Sequence, residues 1–205
     1  MREKEVIMMA KALSAAFTPF YLPVVGLLAL FVFSYLSLLP WWIKIYILLL
    51  VCTFTILLPT ALIRTYRRYQ GWNVVEMGTK ERRLIPYVIS IMSYLLCYYV
   101  LSVNHIPYII GSIVMASLMI QVVCAIVNQW WKISTHTAAI GGVAGAIMAF
   151  AEIFSFNPVW WLCLIFIMGG LVGTSRMLLR QHTLGQVTGG FLIGMACAIV
   201  AVLFV

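Results

Sequence analysis

Aspartate is absent from this 205-residue sequence, glutamate occurs five times, and charged residues together make up 9% of it. The missing aspartate removes the commonest oxygen donors of a carboxylate-held Mg²⁺ or Ca²⁺, so no metal cofactor is expected. So low a charged fraction excludes an ordinary soluble domain, where it runs at roughly 25%. The five cysteines (Cys52, Cys97, Cys124, Cys163, Cys197) lie inside apolar runs with no CxxC and no Cys/His spacing. That excludes a zinc framework, gives no disulfide pattern and leaves packing as their expected use. A domain linker, a low-complexity tract and an internal repeat are missing as well.

What is present is apolar from end to end, with 64% hydrophobic residues and a mean hydropathy of +1.08. A membrane helix needs about 20 mainly apolar residues. That ruler predicts an all-α fold, a polytopic bundle of six to seven transmembrane helices in one domain, with spans at 14–39, 43–63, 86–104, 107–127, 136–156, 159–175 and 183–205. Pro19 and Pro23 are expected to bend or delay the first span, because proline removes a backbone donor. Pro40-Trp41-Trp42, His105-Ile106-Pro107 and Asn157-Pro158 read as turns, with the tryptophans and the snorkelling Lys44 at the interface. Residues 64–85 form the longest polar stretch, a basic loop. The N-terminus mixes both charge signs and offers no small-residue cleavage site, so no removable signal peptide is expected.

The formal charge of +8 does not point to nucleic acid, since the cations sit between apolar spans rather than on an aromatic-studded soluble face. Topology explains them. Seven spans place the N-terminal tail, the basic loop, residues 132–136 and residues 176–182 on one side, with 12 of the 13 lysines and arginines and only Lys44 opposite. The positive-inside rule makes that face cytoplasmic.

Two polar clusters interrupt the apolar pattern on that face. One holds Ser175, Arg176, Arg180, His182 and Gln186; the other holds Lys132, Ser134 and His136. Ionisable groups at membrane depth are costly and point to function. A helix beginning at Lys132 would put His136 one turn away. Arginine offers a planar fork for phosphate, lysine a point charge, and exposed helix N-termini add amides. One histidine can attack phosphorus while a second protonates the departing oxygen. Glu152 and His105 lie away from these clusters and read as structural. The glycine pairs 141/145, 169/173, 185/189 and 190/194 read as close helix contacts.

These residues resemble the type 2 phosphatidic acid phosphatase superfamily of membrane lipid phosphatases. Its third motif is Ser-Arg, five residues, His, three residues, Asp; Ser175, Arg176 and His182 keep that spacing, with Gln186 in the place of Asp. Of its second motif, Pro-Ser-Gly-His, Ser134 and His136 remain. Its first, Lys followed after six residues by Arg-Pro, has its nearest counterpart in Lys80 to Pro86. The pattern is similar to a divergent bacterial branch, which implies a bacterial plasma membrane. The resemblance implies a metal-independent lipid phosphatase working through a phosphohistidine on a membrane lipid. His182 would be the nucleophile and His136 the general acid, with Lys132, Ser134, Ser175 and Arg176 on the phosphoryl oxygens and Arg82 or Arg83 replacing the first motif. Members commonly act on the outer face, against the cytoplasmic side that the charge pattern favours. An amide at 186 orients the ring without compensating the imidazolium charge. Glu76 or Glu81 would be the stand-in acid. A reading from another class stays open beside this one: a catalytically degenerate relative that binds or transports an anionic lipid.

Overall fold

The computed structural model describes residues 3–69 and 80–204, the side chains of residues 3, 16, 33 and 80–83 excepted. Among the described residues every regular element is helical: α1 (Glu3–Ala16), α2 (Leu22–Phe33), α3 (Trp41–Cys52), α4 (Leu58–Tyr69), α5 (Lys80–Val103), α6 (Tyr108–Val127), α7 (Thr135–Phe154), α8 (Val159–Leu178) and α9 (Leu184–Phe204). They supply seven stretches long and apolar enough to cross a membrane. The chain is a multi-pass membrane protein with an all-α fold.

The last four spans begin and end within a few residues of the apolar ruler, because prolines and an Asn-Pro pair punctuate them. The first two and the polar stretch between spans two and three differ. The first span, expected as one helix over 14–39, is helical from Glu3, breaks after Ala16, passes through a 3₁₀ turn at Pro19–Tyr21 and resumes at Leu22. The break follows from Pro19, which drives Thr18 into an extended conformation (φ −75°, ψ 146°). Pro23, in the first turn of α2, is tolerated there. The second span runs Trp41–Tyr69 rather than 43–63. It carries Arg64, Arg67 and Arg68 as the polar face of α4, because a helix need not end where its apolar surface ends. A π-helical turn at Thr53–Leu57 joins α3 to α4, just before Pro59, whose missing N–H frees a carbonyl in that turn. The expected basic loop over 64–85 is therefore helical at both ends, in α4 and in the start of α5. Glu76 lies outside the described residues.

Helices α6 and α7 bury most of their surface and form the centre; the other spans face outward over most of theirs. The most extensive contact joins α7 to α9. A Cβ at Gly141 or Gly145 would overlap the carbonyl oxygen of Phe191 or Met195, and one at Gly190 or Gly194 would collide with the carbonyl of Ser134 or Ala138. The two helices run parallel with main chain against main chain, which only glycine permits. The pair 185/189 behaves differently: its partner is the indole of Trp131, lying across the α9 surface.

Two loop-closing turns share one design. After α8, the Gln181 N–H bonds to the Arg176 carbonyl (3.1 Å) and the Arg180 N–H to the Met177 carbonyl (2.8 Å), with Arg180 left-handed at φ 53°. After α5, Ile106 bonds to Leu101 and His105 to Ser102 (3.1 Å each), with His105 at φ 51°. Both are Schellman caps, so His105 is a helix terminator. Glu152 is exposed near the end of α7.

Candidate active site

The N-termini of the parallel pair α7 and α9 and the C-terminus of α8 meet on one face. The Ser134 N–H donates to the Gln186 carbonyl (3.3 Å), binding the entry of α7 to the first turn of α9. Two helix N-termini thus present their positive ends together, while Arg176 occupies the last turn of α8, where a cation complements the dipole.

The first turn of α9 sets the nucleophile candidate. Thr183 is its N-cap, its carbonyl accepting from the Val187 N–H (3.1 Å). Gln186, three residues on, reaches back so that its Oε1 accepts from the Thr183 N–H (3.2 Å) and lies 3.2 Å from His182 Nδ1. This is the reciprocal arm of a capping box. The Thr183 N–H can only donate, so the atom facing it is the amide oxygen. A neutral His182 ring therefore carries its proton on Nδ1 and its lone pair on Nε2.

Arg176 is half-buried. Its Nη1 donates to Ser14 Oγ at 2.7 Å, a contact 162 residues apart in sequence. Its buried Nε has no hydrogen-bond partner among the described residues, and neither has the buried Nδ1 of His136. Arg176 and His182 are close enough to His136 for their charges to act on its ring.

The other expected site residues fall as follows. Lys132 is exposed on the non-helical segment before α7, so it is not one helical turn from His136 as a helix beginning at Lys132 would require. Ser134 is fully buried and is the N-cap of α7, its Oγ facing the Thr137 N–H at 3.5 Å. Ser175 is buried and its hydroxyl donates to the Val172 carbonyl (2.7 Å). The side chains of Arg82, Arg83 and Glu81 lie outside the described residues. Two features carry no local sequence signal: Ser14, which reads only as the start of an apolar run, and the seat of Trp131 on Gly185 and Gly189.

Beside these groups a cleft of about 520 Å³ opens between α8 and α9, lined by Phe166, Gly170, Met177, Leu184, Phe191 and Leu192 among others. Its lining is almost wholly apolar, and Met177 and Leu184 bring its mouth to the end of α8 and the start of α9.

The helical membrane bundle gathers two histidines and an arginine at paired helix ends, residue types able to hold an anion and to move protons. Residues 127–205 match the PAP2 superfamily, the type 2 phosphatidic acid phosphatases, and this segment contains α7, α8, α9 and the loops that enter them. No curated protein and no solved structure matches the chain.

Proposed function

We propose that the chain is a metal-independent membrane lipid phosphatase acting on a phosphomonoester or diphosphate lipid. The observation that carries this reading is the buried, unpartnered Nε of Arg176 beside the two histidines. A buried guanidinium hydrogen is costly to leave unpaired, and a phosphoryl oxygen satisfies it with a charge-assisted bond. The apolar cleft between α8 and α9 supports a lipid as the bearer of that phosphate, being of ordinary ligand-site size.

In this scheme His182 Nε2 attacks phosphorus as the bond to the leaving oxygen breaks, and His136 delivers a proton to that oxygen. Water then attacks phosphorus as the P–Nε2 bond breaks and its electron pair returns to His182, while His136 takes up the proton of the water. Gln186 keeps the lone pair of His182 on Nε2. Arg176, Lys132 and the amides at the start of α7 and α9 balance the charge that builds on the equatorial oxygens. Ser175, whose hydroxyl donates to the Val172 carbonyl, shapes the site through its backbone, whereas the Ser134 hydroxyl accepts from the Thr137 N–H and keeps its own hydrogen for a phosphoryl oxygen. The positive-inside pattern supports a cytoplasmic active face.

Phosphate release from phosphatidate, phosphatidylglycerophosphate and a polyprenyl diphosphate tests the reading. Turnover by the parent that survives EDTA and disappears in His182→Ala is expected. Loss of turnover in EDTA would overturn the metal-free mechanism. An inactive parent that still binds these lipids would favour the second reading, an anionic-lipid binder, which the uncharged partner of His182 supports.

A further inference from the structure

We propose that Ser14, on the N-terminal helix α1, is a positioning residue of this site, holding Arg176 by one edge so that the other edge faces the phosphoryl group. The inference rests on the phosphate-binding role given to Arg176 above.

The geometry divides the guanidinium in two. Ser14 Oγ takes a hydrogen from Nη1 at 2.7 Å, the nitrogen on the Cδ side of the group. The opposite edge, Nε and Nη2, is the pair that contacts a phosphate or carboxylate with two parallel bonds. Nε on that edge is buried and without a partner among the described residues. An unanchored arginine distributes among many rotamers and loses that freedom on binding. A fixed acceptor on the far edge removes part of that loss before the anion arrives.

The acceptor is itself held firmly. Ala10 and Ser14 are buried, Leu13 and Phe17 pack against the cluster that contains Ile140, Ile165 and Val172, and α1 lies against α8. These four positions form an i, i+3, i+4, i+7 stripe. Helix α1 lies outside the PAP2-matched segment, so the N-terminal part of the chain completes a site whose other members come from residues 127–205.

The test uses the full-length protein in detergent, with inorganic orthovanadate as the phosphoryl mimic and melting temperature as the readout. Vanadate is expected to stabilise the parent. Ser14→Ala should bind it about tenfold more weakly, the lower end for losing a hydrogen bond to a charged group. Ser14→Thr should bind it like the parent, and Ser14→Ala added to Arg176→Lys should cost nothing further. Leu13→Ala, which lightens the packing of α1 without touching the hydroxyl, should lower the vanadate-free melting temperature but not the affinity. Parent-like vanadate binding by Ser14→Ala, a full additive loss in the double variant, or no vanadate binding by the parent would each overturn the assignment. Vanadate binding with the Ser14 dependence intact, but no lipid turnover, overturns the phosphatase reading alone.

Discussion

At position 186 an amide oxygen accepts from the Thr183 N–H and faces His182 Nδ1, both at 3.2 Å. One side chain therefore closes the first turn of α9 and sets the histidine tautomer. Charge is what it lacks. Gln186→Glu keeps the reach and adds a carboxylate, stabilising the imidazolium and favoured near a helix N-terminus, so turnover should rise. Gln186→Leu removes both bonds, and turnover should fall about 10- to 100-fold, the scale seen when a functional histidine loses its orienting partner. Steady-state kinetics on one lipid phosphate checks both; a Gln186→Leu variant with parental turnover would show that the ring needs no such support. The spacing of Arg176, His182 and Gln186 was legible in the sequence because a Schellman cap and a capping box, both local devices, determine it. Ser14 was not, since its contact with Arg176 spans 162 residues and depends on how α1 packs on α8.

Helix α7 against α9 is the element that holds the site in register. The obstacles at Gly141, Gly145 and Gly194 are carbonyl groups of the facing helix, and main chain cannot rotate aside as a side chain can. Gly145→Leu should cost about 3 kcal/mol, the upper end for overpacking, and turnover should fall with it. Gly170→Ala makes the contrast: its Cβ meets nothing within 4 Å, and the better helix former should hold or raise stability by up to about 1 kcal/mol. Unfolding in increasing denaturing detergent measures both, and equal stabilities would remove the seam from the account. The glycine spacing announced close packing, but not which helices share it. The pairs 141/145 and 190/194 line the two sides of one seam, each facing carbonyls of the opposite helix, whereas 185/189 receives an indole, and only the three-dimensional arrangement separates these uses.

For the whole molecule, two contacts mark opposite ends of the bundle. Ser14 meets Arg176 at the site, and the rings of Tyr35 and Phe154 meet edge to face (6.0 Å) at the far end of α7. From the end of α1, residues 14 to 35 thus carry the chain from the site end of the bundle to its far end. Charges at Lys4 and Lys11 obscured that helix in the sequence, just as Arg64 obscured the end of α4. If the site face is cytoplasmic, a cysteine at the exposed position 181, in a background with the five native cysteines replaced, should resist a membrane-impermeant thiol reagent in intact cells and react after permeabilisation. Labelling of intact cells would reverse the orientation.

The seam between α7 and α9 also says what a transplant of this site would require. Both histidines enter from helix ends registered by glycine-to-carbonyl contacts and by the backbone hydrogen bond from Ser134 to Gln186. Grafting the two histidine-bearing loops onto another bundle would carry the reactive groups without the frame that spaces them. Moving the glycine-faced helix pair would carry the frame itself, leaving the arginine and its serine anchor to be supplied by the new host.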